Sequence, residues 1–122
     1  ECEKNLTRYI DAIRFVHDQT VAGMNAGKDV WTLMQEIKLP EHLKIGEQYG
    51  RLTWSIRGIY EGYVGFYDER IPSMYEVPPS AVHDDLVALA GGCGPIIDRA
   101  QSLATDHPKE ALHLLEIALN AD

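Results

Sequence analysis

The chain has 122 residues, 45% hydrophobic and 25% charged, enough to build a hydrophobic core without disulfides or metal and with no compositional sign of disorder. Nineteen acidic against eleven basic residues leave a net charge of -8, which repels polyphosphate and makes nucleic acid a poor partner. The run Leu86 to Ile97 is uncharged and rich in apolar residues, but Gly91, Gly92, Gly94 and Pro95 interrupt it and it is shorter than the roughly 20 residues a bilayer requires, so no membrane span is expected.

In chain order, Lys4 to Ala26 carries apolar residues at Leu6, Tyr9, Ile10, Ile13, Val16, Val21 and Met24, the spacing of one helix face. Gly27 stops this first helix and Asp29 caps a second, which turns Val30, Leu33, Met34 and Ile37 inward before Pro40 ends it. Pro40 to Gly50 has no sustained period and reads as a loop with a short turn. Leu52 to Tyr67 regains helical spacing at Leu52, Ile56, Ile59, Tyr60, Tyr63, Phe66 and Tyr67.

The three prolines of Ile71 to Ser80 predict an extended, irregular segment. A fourth helix begins near Ser80 and is expected to bury Val82, Leu86, Leu89 and Ala90 before Gly91 and Gly92 end it. Gly94-Pro95 opens a fifth helix running to about Ala104, and Asp106 or His107 caps a sixth that begins at Pro108. The fold class that follows is all-α, a compact bundle of about six helices in a single domain over residues 1–122. Helices five and six have the small-residue and leucine spacing of a tetratricopeptide hairpin, but no second copy follows, and one unit cannot bury its face alone. They are expected to form a TPR-like αα-hairpin at the C-terminal end of the bundle. The first residues lack an initiator methionine and a signal peptide's apolar core, and the last helix is still running at Asp122, so the chain reads as a piece of a longer polypeptide.

The third helix poses a problem, because Gly58, Gly62 and Gly65 each cost about 1 kcal/mol relative to alanine in a helix interior. At about 100° per residue the three share one side, bordered by Ser55 and Phe66, while Ile56, Tyr60, Tyr63 and Tyr67 form a second stripe. So little of the helix is polar that it is expected to be buried. A smooth stripe lets another helix approach closely, and the dispersion attraction between the two backbones offsets the glycine cost. Ser55, Gly58, Gly62, Gly65, Tyr60, Tyr63 and Tyr67 are therefore candidate helix-packing or interface residues. The partner is either helix one of the same chain, the favoured reading, or a helix of another subunit.

Catalytic chemistry finds little support. Among the five histidines there is no HxHxDH, no HExxH and no cysteine–histidine pair at zinc spacing. Glu110 and His113 form one ExxH, but a di-iron bundle needs a second and further glutamates, so no metal site is expected. No GxSxG turn is present, and Cys2 and Cys93 read as free thiols, Cys93 being a small residue in a tight turn. The glycines of Gly91 to Gly94 read as a connection between helices in preference to a phosphate cradle. His17-Asp18 and His83-Asp84-Asp85 read as solvated or capping groups, since neighbours in a helix point about 100° apart. No catalytic residue is assigned.

The stretches VHDQTVAGMNAGKDVWTLMQEIKLP, YGRLTWSIRGIYEGYVGFYD and PPSAVHDDLVALAGG, in that order, resemble the dimerisation domain of bacterial alkyl sulfatases across essentially the whole chain. The resemblance implies a parent with an upstream metallo-β-lactamase-like catalytic domain, whose zinc pair hydrolyses sulfate esters of long-chain alcohols, and a downstream sterol-carrier-like domain. It implies that this chain alone is not an enzyme, that its partners are a second copy of itself and the parent's catalytic domain, and that any cofactor is zinc held elsewhere in the parent. It also makes Tyr49 a candidate for the substrate channel. The competing expectation is a TPR-like interaction module that binds a peptide or a partner helix. The compartment is left open.

Overall fold

The structure, a computed structural model, describes residues 2–47, 50–68 and 70–121. The described residues form six α-helices and three short 3-10 turns with no strand, the all-α class expected. The chain divides into two compact units, Glu1–Asp68 and Glu69–Asp122.

The first unit is built on α1 (Cys2–Asn25), α2 (Val30–Glu36) and α3 (Leu52–Val64), with a 3-10 turn at Glu41–Leu43. The turn between α1 and α2 works as the sequence predicts. Gly27 takes a φ of 74°, and the Lys28 N–H reaches back to the Gly23 carbonyl at 3.1 Å, closing the last turn of α1. Asp29 Oδ1 then accepts from the amides of Trp31 and Thr32 at 2.9 and 3.0 Å, while Oδ2 accepts from the Thr32 hydroxyl at 2.7 Å. These donors stabilise the ionised carboxylate and hold its pKa below the ordinary value of 3.8.

With α1 and α2 folded back by that turn, Val16, Leu33, Ile37 and Ile56 form the core, and Phe15, Met24 and Leu52 pack around it. Thr20 is fully buried, its hydroxyl satisfied by the Val16 carbonyl at 2.7 Å. A glycine not singled out in the sequence makes the closest approach: a methyl on Gly23 would overlap Leu33 Cδ2. Gly23 is thus what lets α2 lie against α1.

Only the second half of α1 is committed to this core. Leu6, Tyr9, Ile10 and Ile13, expected on the inward face, are 39 to 60% exposed. The helix has 24 residues against 7 in α2 and 13 in α3, so at 1.5 Å per residue it outruns both neighbours.

The second unit opens with 3-10 turns at Ile71–Met74 and Pro79–Val82, followed by α4 (His83–Ala90), α5 (Cys93–Leu103) and α6 (Pro108–Asn120). Gly91 and Gly92 end α4 at φ values of 84° and 116°, the left-handed region that only glycine enters cheaply. The short connection between α5 and α6 makes them an antiparallel pair, with Ala100 and Ala111 buried alongside Ile96. The small side chains let the two helices pack closely. At and within α4 the expected burial is reversed: Val82, which precedes the helix, and Leu86 and Leu89 in it are 49, 40 and 85% exposed, whereas His83 is only 8% exposed.

Candidate functional site

The helix that carries the candidate residues, α3, is shorter than its hydrophobic pattern suggests. It ends at Val64 because Gly65 has a φ of 74°, so the third glycine of the stripe is a helix cap and not an interior residue. Phe66 and Tyr67 lie beyond the helix, 85 and 42% exposed. Gly58 and Gly62 remain as the interior glycines whose cost needs a reason.

The expectation that α3 is buried nearly all round is also corrected. Only Ile56 is fully buried, with Leu52, Ile59 and Tyr60 half-buried beside it against α1 and α2. Trp54, Tyr63 and Val64 are 63, 61 and 44% exposed. The favoured intrachain partner for the glycines is not found: α1 crosses α3 on the Ile56 side, and a methyl built on Gly58 or Gly62 would meet nothing within 4 Å. Gly58 opens onto a groove that separates α3 from α1, and Gly62 onto open space.

The tyrosines do not form one stripe. Tyr60 joins the core margin, while the Tyr63 hydroxyl lies 2.8 Å from His17 Nε2 with the rings tilted at 50°. His17 Nδ1 in turn lies 3.0 Å from Asp18 Oδ1, so the two neighbours do meet, against the sequence expectation. A flexible carboxylate two bonds from the backbone can swing to an adjacent side chain although the Cα–Cβ vectors diverge.

On the other flank of α3, Arg57 Nε bonds Glu61 Oε1 at 2.6 Å, and the guanidinium carbon stands 5.3 Å from the centre of the Trp31 ring. Trp31 is itself 58% exposed. Trp31, Trp54 and Arg57 are not among the candidates that the sequence singles out. Tryptophan and arginine are enriched where protein surfaces bind, and their exposure is the signal that marks them.

Between α1 and α3 runs a groove of about 650 Å³. Ile13, Val16 and Ile59 give it apolar walls, Ser55 and Gly58 border it on α3, and Arg51 stands at its loop side. Its loop wall also includes Glu47 and Gly50, the described residues that flank Gln48 and Tyr49. Tyr49, the channel candidate, lies outside the described residues.

The remaining candidates lack the partners that chemistry would need. Among the described residues no group of three or more His, Cys, Asp and Glu could hold a metal ion. Glu110 pairs with His107 at 3.3 Å in place of converging with His113 on a third ligand. Cys93 is half-buried as the first residue of α5, and not in the turn before it as expected, with its thiol 3.8 Å from the Ala118 carbonyl. No helix among the described residues is long and apolar enough to cross a membrane.

The family described as alkyl sulfatase dimerisation matches residues 30–122. A linear primary-alkylsulfatase of a Pseudomonas species is 39% identical over 87 residues, covering 67% of this chain and 16% of that protein. An alkyl/aryl-sulfatase of Saccharomyces cerevisiae is 27% identical over 99 residues, 78% of this chain and 15% of its own length. An (R)-specific secondary-alkylsulfatase of a Pseudomonas species is 26% identical over 97 residues, 75% of this chain and 15% of its own. The chain therefore spans about a sixth of the length of these relatives. No solved structure matches it.

Proposed function

The chain belongs to the alkyl sulfatase dimerisation family, and from that premise we propose that it joins two copies of an alkyl sulfatase without itself performing the hydrolysis. The observation that carries the reading is the uncovered face of α3: two interior glycines open to solvent beside an exposed Trp54 make sense if another helix supplies the missing contacts. Ser55, Gly58, Gly62, Gly65, Tyr63 and Tyr67 then lie at or beside an interface between chains, while Tyr60 braces α3 from the core side.

The parent acts on sulfate esters of long-chain alcohols, its catalytic domain is the chain's second partner, and zinc belongs to that domain. The groove beside α3 forms part of the wall of the passage that takes the alkyl chain. Its apolar lining and a volume within the roughly 300–1,000 Å³ usual for small-molecule sites support that role.

Sedimentation velocity of the full-length protein tests the assembly: a dimer at micromolar concentration is expected, and a strictly monomeric protein would overturn the proposal. Hydrolysis of a long-chain alkyl sulfate by residues 1–122 alone would overturn the division of labour.

A further inference from the structure

The sequence of α3 has a symmetry that the dimer reading does not by itself require. Trp54, Gly58 and Gly62 are spaced four apart and so lie along one row of the helix surface, the kind of row that interdigitates when helices cross. One end of the row carries the largest side chain available, 63% exposed. The middle and the other end carry none, and the space above both is open.

Gly58 stands midway between the knob and the hollow. If two copies of α3 crossed in parallel, tryptophan would meet tryptophan and hollow would face hollow. An antiparallel crossing whose two-fold axis passes Gly58 pairs each Trp54 with the partner's Gly62, and a contact of this isologous kind is complete in both directions at once. The neighbouring charges do not oppose it: Arg57 is already paired with Glu61 and stacked on Trp31, so the crossing need not bury an unmatched ion.

We propose that the dimer forms by an antiparallel crossing of α3 on α3 about an axis at Gly58, with each Trp54 seated on the partner's Gly62. The proposal rests on the dimerisation reading and gives it a register. Two helices of 13 residues, about 20 Å long, are too short to bury the roughly 1,200–2,000 Å² of a stable interface alone. Phe66, 85% exposed just past the end of α3, is a further apolar side chain available to enlarge the contact.

The test uses the full-length protein. In Gly58→Cys the two new thiols face each other across the axis within reach of a disulfide, so mild oxidation should give a covalent dimer that the unsubstituted protein, with its native cysteines, does not give. Trp54→Gly and Gly62→Trp should each weaken dimerisation about tenfold or more. The double variant Trp54→Gly/Gly62→Trp exchanges knob and hollow and should return the affinity to within about threefold of the original, a recovery that a loss of folding cannot imitate. Helix content by circular dichroism should be the same in all of them.

Two failures are distinguishable. An unsubstituted protein that is monomeric overturns the dimerisation reading and the crossing with it. A protein that is dimeric while Gly58→Cys stays uncoupled and the double variant is as weak as the single ones overturns the crossing and leaves the dimerisation reading standing.

Discussion

His17 Nε2 and the Tyr63 hydroxyl meet at 2.8 Å, across 46 residues of sequence, and join the middle of α1 to the last turn of α3. With Asp18 on the other ring nitrogen, a neutral imidazole donates to the carboxylate and accepts from the phenol. Tyr63→Phe should lower stability by about 0.5 kcal/mol, the small value of an exposed hydrogen bond. Thermal melts of the two proteins check this; a loss of several kcal/mol would contradict it.

Asp29 gives a pH dependence with a definite sign. Its folded pKa is lowered, chiefly by the Thr32 hydroxyl and then by the Thr32 and Trp31 amides, so its contribution is complete above the unfolded value and disappears as the pH falls through the lower, folded one. The start of α2 should loosen below about pH 4. In Asp29→Ala the amides of Trp31 and Thr32 should exchange with solvent faster than in the native chain at neutral pH, whereas Asp29→Asn, which keeps a side-chain acceptor, should retain most of the protection.

Gly23→Ala sets helix propensity against packing. Alanine favours the helix by about 1 kcal/mol, but the new methyl enters the space of Leu33, which is 2% exposed and has little room to yield. Overpacking costs about 1–3 kcal/mol, so urea denaturation should show a net loss, reduced in the double variant Gly23→Ala/Leu33→Val.

The glycines of α3 should part company on substitution. Gly62→Ala meets no neighbour and should stabilise the isolated fold by up to about 1 kcal/mol. Gly65→Ala forces a side chain into a φ of 74° and should destabilise it by about 1 kcal/mol. Melting temperatures measured at concentrations low enough to keep the chain monomeric would show the opposite signs.

Ile56 is 0% exposed at the meeting of the three helices of the first unit. Ile56→Ala should cost about 2–5 kcal/mol, far more than the loss of any exposed apolar residue on α3. Chemical denaturation of Ile56→Ala beside Val64→Ala provides the comparison.

Much of the fold is legible in the sequence wherever a local rule has one physical solution. Gly27 and Asp29 mark the turn between α1 and α2 because a left-handed cap and a side-chain acceptor are needed at those places whatever lies around them. Gly91 and Gly92 do the same at the end of α4. Periodicity is less decisive. It identifies Ile56 and Leu33 as inward, but it gives Leu6, Tyr9 and Leu89 the same spacing, and these are exposed. An apolar face kept for another surface is written in the same alphabet as one that folds onto its own chain.

The candidate site shows the same division. Gly58 and Gly62 are legible as one smooth line, but their openness depends on which side of α3 meets α1, and that is decided by long-range packing around Ile56. Gly65 joins the line on spacing alone, because spacing does not reveal a change in the sign of φ. The contact between His17 and Asp18 depends on side-chain torsions, and the burial of His83 on the packing of the second unit.

The exposure of the tryptophans has one further consequence. Trp31 and Trp54 are the chain's two indoles, and both meet solvent in the folded state. Their emission should consequently shift little when the chain unfolds, yet move to shorter wavelength when a partner covers Trp54. The protein carries a built-in optical reporter that distinguishes assembly from folding.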